Sequence, residues 1–291
     1  MTAPHILFDR ELLRERQRRA SRSGAEKFLL QRTTEELFER LDTIARNFER
    51  AALIETPDAE ALTQHLLAEG KVRAVDILDI QGAAESVSGG AARYDLAVSL
   101  LSMQWLNDLP GVLAQIKRLL KPDGVLLAAM MGGDTLIELR DALASAESEI
   151  EGGISPRVSP FVEVRTLGGL LQRAGLTLPV TDIDRFTVRY TNALALMRDL
   201  RRMGAANALT ERSRKPLRRA TLLRAAEIYR ERYADEDGRV RATFEILWLS
   251  GWAPHESQQQ PLKPGSAKAR LADALRAIEV PAGEKAGPKK N

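Results

Sequence analysis

The sequence predicts an α/β fold in which a mostly parallel sheet is covered by helices on both faces. Three observations carry it. From Ala51 onward, short apolar runs alternate with helical patterns, the order that joins parallel strands through crossover helices. The run at 125–131 is apolar at consecutive positions, and Phe244, Ile246 and Trp248 alternate with Leu247 and Leu249 on the opposite face, which suits strands buried on both sides. Turn chemistry marks the junctions, with Thr56-Pro57 and Asp108 at helix starts and Gly70 and Gly175 at helix stops.

Taken in order, residues 9–48 are charged and helical in pattern, with Leu37, Leu41 and Ile44 as the apolar stripe. Residues 51–55 read as a strand. A helix capped by Thr56, with Pro57 at its first position, then runs to Glu69. Residues 72–80 are the next strand, and the small, glycine-containing stretch 82–92 is a loop. Residues 95–101 form a third strand, after which Asp108 caps a helix presenting Val112, Ile116 and Leu119. Lys121-Pro122-Asp123-Gly124 is a turn into the buried strand 125–131, followed by a helix over 135–149 that aligns Leu136, Leu139 and Leu143. A helix over 167–174 comes next. Phe186, Val188 and Tyr190, then Phe244, Ile246 and Trp248, mark two late strands.

This gives an N-terminal helical extension over 1–48 and an α/β domain over 49–191 and 236–260. An arginine-rich helical insertion occupies 192–235, and a polar tail over 261–291 is expected to be partly disordered. Ligands of such a sheet belong at the carboxyl ends of its strands, near the switch point of strand order.

Bulk chemistry narrows the function classes. Apolar residues make up 44% of the chain, enough for a packed core. There is no cysteine, which removes disulfides, thiolate metal sites and cysteine nucleophiles, and fits a reducing, cytoplasmic setting. The run at 125–131 is too short to span a bilayer, and no export signal is expected in the first residues. Arg10, Arg14, Arg16, Arg18, Arg19 and Arg22 read as a solvated basic helix. Net charge is only +3 and aromatics are 5%, so a sustained phosphate-binding surface is not expected, and nucleic acid is excluded as a partner. His5, His65 and His255 are scattered in sequence, with no spacing for an iron or other metal site.

Tyr94-Asp95-Leu96-Ala97-Val98-Ser99 resembles the fourth strand of class I methyltransferases, and Leu120-Lys121-Pro122-Asp123-Gly124 their junction into the fifth. Leu170-Leu171-Gln172-Arg173-Ala174-Gly175 resembles the helix before their last two strands. Further motifs are similar to the mitochondrial complex I assembly factor 5 family and its bacterial relatives. They include Phe8-Asp9-Arg10, Arg46-Asn47-Phe48, Trp105-Leu106-Asn107-Asp108-Leu109-Pro110 and Gly132-Gly133-Asp134-Thr135-Leu136. Gly152-Gly153-Ile154-Ser155-Pro156, Ser159-Pro160-Phe161, Asp237-Gly238, Gly251-Trp252 and His255-Glu256-Ser257-Gln258 extend the likeness over most of the chain.

The resemblance implies a Rossmann-like methyltransferase fold, S-adenosyl-L-methionine as cofactor, and a role in maturing respiratory complex I. In the mitochondrial member that role is hydroxylation of an arginine of a core subunit. It implies a place peripheral to the inner membrane, in the matrix if the source is eukaryotic. It also assigns candidate positions. Glu55 opens the loop after the first strand. Asp76, or Asp79, stands where an acid takes the ribose hydroxyls. Ser99 and Leu100 lie beside the methionine part of the cofactor. Gln104, where the family has histidine, together with Trp105, Gly132 and Gly133, would bound the substrate side. Trp105 also reads as core, Asp108 as a helix cap, and the glycine pair as a turn after a strand.

Two features depart from that pattern. The loop Glu55-Thr56-Pro57-Asp58-Ala59 has no glycine, where glycines normally let the backbone approach the cofactor. The interval from Glu55 to Tyr94 is too short for two complete strand–helix crossovers, so one strand or helix has shrunk into 82–92. Between Leu196 and Arg232, eleven basic residues face four acids. They form a solvated face or a docking surface for an acidic protein or an anionic membrane. Leu217, Leu222, Leu223 and Ile228 there would pack like a lid. Two functions stand side by side: an enzyme that modifies a protein, and a non-catalytic assembly factor that keeps the fold.

Overall fold

The computed structural model describes residues 6–259; the expectations for the tail over 261–291 and for His5 lie outside the described residues. All the strands and helices named below belong to the unit that ends at His255.

Among the described residues, eight strands occur in chain order: β1 (Ala51–Ile54), β2 (Val75–Leu78), β3 (Ile80–Gln81), β4 (Ser86–Val87), β5 (Tyr94–Leu100), β6 (Leu120–Met131), β7 (Thr177–Tyr190) and β8 (Val240–Trp252). Six of them make one sheet in the order β2-β1-β5-β6-β8-β7. β1 pairs in parallel with β2 and β5, and β5 in parallel with β6. β8 runs antiparallel between β6 and β7, and β7 forms that edge. The helices are α1 (Arg10–Arg22), α2 (Phe28–Asp42), α3 (Ala59–Ala68), α4 (Leu109–Leu119), α5 (Ile137–Glu151), α6 (Val164–Arg173), α7 (Ala193–Arg202) and α8 (Arg219–Tyr233).

Side-chain alternation along the strands distributes them to two cores. One face buries Ala52, Ile54, Leu126 and Ala128 against Val112 and Ile116 of α4 and Leu167 and Leu170 of α6. The other buries Leu53, Leu96, Val98 and Leu127 against Leu37 and Leu41 of α2 and Leu62 and Leu66 of α3. The stripe expected at Leu37 and Leu41 is therefore the seam by which α2 covers the sheet. A third cluster joins Leu139 and Leu143 of α5 to Leu196 of α7, Ile228 and Tyr229 of α8, and Phe244 of β8.

The short interval before Tyr94 has a clear structural outcome. The run 72–80 divides into β2 and β3, and β3 pairs back on β4 in an antiparallel hairpin. Among the described residues, no helix and no further strand of the main sheet lies between β2 and β5. One crossover is thus missing, and β2 becomes an edge that leaves Ile77 45% exposed.

Three local expectations need correction. Lys121-Pro122-Asp123-Gly124 is absorbed into β6 as an irregularity: pairing slips between Tyr94↔Leu120 and Leu96↔Val125, and Asp123 takes φ +61. β7 begins well before Phe186, because residues 177–190 alternate in exposure along an edge strand and Leu178 at φ +48 accommodates the break before Pro179. α3 starts at Ala59 rather than at Pro57. Thr56 is not its cap; its hydroxyl accepts from the Leu100 N–H at 3.2 Å.

Leu53 is fully buried in the centre of β1. Leu53→Ala is expected to lower the unfolding free energy by about 2–5 kcal/mol in urea titrations. Val180→Thr, on the exposed side of β7, is expected to change it by less than about 0.5 kcal/mol.

Candidate functional site

A cavity of about 1250 Å³ opens at the carboxyl ends of β1, β2, β5 and β6, where a sheet of this topology presents its ligands. Residues from the β1–α3 loop, the end of β2, the segment after β5, the end of β6 and the end of the β6–α5 turn form its floor. α1 contributes Arg10, Leu13, Arg14 and Gln17 to the opposite wall, so this helix is the roof.

The β1–α3 loop is where the missing glycine matters. Glu55 and Asp58 both adopt left-handed backbone, at φ +45 and +53, a region that costs non-glycine residues about 1–2 kcal/mol each. The chain therefore makes the turn that glycine usually makes, and makes it with two acids. Tertiary bonds hold Glu55 there. Its carboxylate accepts the Ile80 N–H at 2.9 Å and pairs with Arg10 at 2.5 Å and Arg14 at 3.5 Å. Arg14 also donates to the Ile80 carbonyl. Arg10 reaches on to Glu85 at 3.2 Å. Glu85 is buried and accepts the N–H groups of Asn107 and Asp108 at 2.9 and 2.7 Å. One guanidinium thus links α1, the end of β1, the β3–β4 hairpin and the start of α4.

This corrects the reading of the N-terminal basic run as wholly solvated. Arg19 and Arg22 are exposed, but Arg10 is 10% exposed at its side chain. Arg16 donates to the Asn207 carbonyl, and burial lowers its pKa.

The ribose-acid candidates separate cleanly. Asp76 lies at the opposite, amino end of the sheet and does not line the cavity. Arg50 donates to its two carboxylate oxygens at 2.9 and 2.8 Å, and the Tyr94 hydroxyl donates at 2.9 Å. Those bonds, the Arg50 pair first, hold the Asp76 carboxyl below its ordinary range. Asp79, just past β2, is in the cavity wall instead. β2 stops pairing at Leu78, short of the end of the apolar run, and the acid that meets the cavity is the one just beyond that point.

Ser99 and Leu100 are also displaced from the expected role. Both are completely buried. The Ser99 hydroxyl shares a hydrogen bond with that of Ser102 at 3.0 Å, and Leu100 packs into the core. The next two residues, Leu101 and Ser102, face the cavity. Gln104 and Trp105 do line it. Trp105 is core as well, edge-on to Phe8 at 5.5 Å and to Phe161 at 6.1 Å between ring centres.

Gly132 and Gly133 are not in the wall. A Cβ on Gly132 would stand 2.2 Å from Glu245 Oε1 and 2.8 Å from Leu247 Cγ, so close packing against β8 requires glycine there. Asp108 is a helix cap, accepting the Gly111 N–H at 2.9 Å. His65 stacks on Phe38 at 4.2 Å, away from the cavity. Among the described residues no group of acids and histidines is arranged to hold a metal.

The insertion forms only part of a lid. Leu200 and Met203 at the end of α7, with Ala205, reach the cavity. α8 does not; it buries Thr221, Ala225, Ile228 and Tyr229, which leaves Leu223 47% exposed. Many of its arginines pair with acids, as in Arg224–Glu149 at 2.7 Å and Arg232–Asp141 at 2.7 Å. Among the described residues, no helix is long and apolar enough to cross a membrane.

The parallel sheet, its antiparallel closing strand and the cavity at the strand ends define a class I methyltransferase-type domain. Residues 28–179 match the family described as "Methyltransferase domain". The mouse protein "Arginine-hydroxylase NDUFAF5, mitochondrial" is 38% identical over 98% of this chain and 89% of its own length. Its zebrafish counterpart is 52% identical over 62% of this chain, a match that spans 56% of the zebrafish protein. A solved putative methyltransferase from Bacillus halodurans superposes with a TM-score of 0.49 at 16% identity, covering 76% of this chain and 99% of its own. The chain belongs to the NDUFAF5 family of methyltransferase-domain proteins.

The ion pairs lead to two expected outcomes. Arg10→Ala strips the counter-charge from Glu55 and from buried Glu85, and is expected to cost about 3 kcal/mol of stability in urea titrations. Asp76 has a depressed pKa in the folded protein, so its contribution is present above the ordinary carboxylate range and is lost as pH falls through the folded value. Asp76→Asn is therefore expected to be less stable than the parent at neutral pH. The gap should narrow as thermal unfolding is measured at increasingly acid pH.

Proposed function

We propose that the cavity binds S-adenosyl-L-methionine and that the protein uses it to modify a side chain of a protein partner, a subunit of respiratory complex I. The observation that carries this reading is the cavity itself. It is centred on the strand ends, and at about 1250 Å³ it exceeds the few hundred to ~1,000 Å³ of ordinary ligand pockets. It has room for a nucleoside-sized cofactor and an incoming side chain together.

The residues present suit the cofactor. Asp79 offers a carboxylate at the end of β2 for ribose hydroxyls, in place of Asp76. The loop from Glu55 to Asp58 has the left-handed turns that let backbone approach a ligand, and Leu101 and Ser102 bound the side toward the substrate. When bound, the cofactor supplies an activated one-carbon group. The chain's own residues position and enclose: α1, pinned through Arg10 and Arg14, covers the site and excludes water. Trp105 and Phe161 give the substrate side a rigid apolar wall. The choice of an arginine side chain as target rests on the name of the mouse relative, and the choice of complex I on the family motifs that run through most of the chain.

A second reading, a non-catalytic assembly factor, is favoured by one observation. The Glu55 carboxylate is already occupied by Arg10, Arg14 and the Ile80 N–H, so α1 closes the site from within.

Titration with S-adenosylmethionine and S-adenosylhomocysteine separates the two. Binding is expected to give heat and to raise the unfolding temperature, reaching about 2.7 kcal/mol of added stability at a hundredfold excess over Kd. No heat and no shift at millimolar ligand would sink the enzymatic reading and leave the assembly factor. Where turnover is seen, intact mass of the partner tells an added methyl group from an added oxygen.

A further inference from the structure

The inner wall of the cavity carries a strained turn and an oriented amide. β5 ends at Leu100, and Leu101 comes next at φ +52, a strained conformation for leucine of the kind that gathers at ligand sites. Its carbonyl accepts from Gln104 Nε2 at 2.7 Å. That bond fixes which way the amide points, because only the nitrogen can donate to a carbonyl. The other end, Oε1, is buried and has no partner. Gln104 is 7% exposed and lines the cavity.

Two hydroxyls that line the cavity are bonded elsewhere. Ser102 Oγ is shared with Ser99, and Thr135 Oγ1 donates to the Glu245 carbonyl at 3.1 Å. A buried acceptor without a donor is costly and uncommon in a folded protein. Here a local turn and an oriented amide hold it in place beside a cavity.

We propose that Gln104 is a ligand-positioning residue: Oε1 accepts a hydrogen bond from a cationic N–H group of the molecule bound in the cavity. Two sources offer that chemistry, the ammonium of the cofactor's amino-acid part and the nitrogen of a substrate side chain. The proposal rests on the cavity being the cofactor and substrate site. It adds the atom that receives the ligand's donor.

The test uses the full chain as the parent, Gln104→Leu and Gln104→Met, which remove the acceptor at similar volume. Three probes are titrated by calorimetry. They are S-adenosylhomocysteine, methylthioadenosine (which lacks the amino-acid part), and N-acetyl-arginine amide added to protein saturated with S-adenosylhomocysteine. Thermal unfolding of each variant reports whether it is folded.

Both variants are expected to weaken one ammonium- or guanidinium-bearing probe by about tenfold or more and to leave methylthioadenosine unchanged. Weakened S-adenosylhomocysteine assigns the bond to the cofactor's ammonium; weakened arginine amide alone assigns it to the substrate. Unchanged affinity for both overturns the proposal. So does equal weakening of all three, which would make Gln104 merely structural. If the parent binds none of the probes, the cofactor reading itself has failed and this one falls with it. Because Leu and Met differ in shape, a folding defect in one leaves the other to decide.

Discussion

The Glu55 carboxylate is the point on which the site depends. It stands at the end of β1 in a backbone conformation that glutamate disfavours. What holds it there is a set of bonds from two sides: the Ile80 N–H after β2, and Arg10 and Arg14 from α1. Charge-assisted bonds of this kind are short and strong where water is scarce. They turn a strained loop into a junction. The strand end, the β3–β4 hairpin and the N-terminal helix are fixed relative to one another, and the cavity is the space they enclose.

The reduced sheet explains why such a junction is needed. Without a third parallel strand beyond β2, that flank of the cavity has, among the described residues, no strand of the main sheet behind it. The hairpin is only a partial replacement, with two residues in each strand. Glu85, buried between the hairpin and the start of α4, caps two backbone N–H groups and shares Arg10 with Glu55. Ion pairs do here what another strand–helix unit does in a larger sheet. Such pairs are directional, so they also place α1 over the strand ends rather than elsewhere on the surface.

Much of the fold was legible in the sequence because local physics writes it there. The buried strands β5, β6 and β8 each carry a run of apolar residues at consecutive positions (96–98, 125–131 and 246–249), the helices α4 and α6 carry their stripes, and Asp108 and Gly175 stand at the ends they mark. Even the lost crossover was visible, since the interval between Glu55 and Tyr94 is a matter of length alone. β7 was harder: an edge strand with acids and a proline among its outward residues has little apolar signal to show.

The site was less legible, and the reason is distance. Glu55 was found because it ends a strand, and Gln104 and Trp105 through the motif they share with the family. Asp76 was preferred over Asp79 because composition does not say where β2 stops pairing. Ser99 and Leu100 were chosen over Leu101 and Ser102 because a shift of one residue turns a side chain from core to cavity. The partners of Arg10 had no local sign: Phe8-Asp9-Arg10 stands out as a family motif, but Glu55 lies 45 residues away and Glu85 further on. The sequence by itself determined most of the strands and helices of the main sheet and the missing crossover, since each depends on neighbouring residues. Only the tertiary structure decided which acid meets the cavity and which arginines are buried, because these are set by contacts between segments far apart in the chain, and only the folded turn at Leu101 shows that Gln104 keeps an unpaired acceptor.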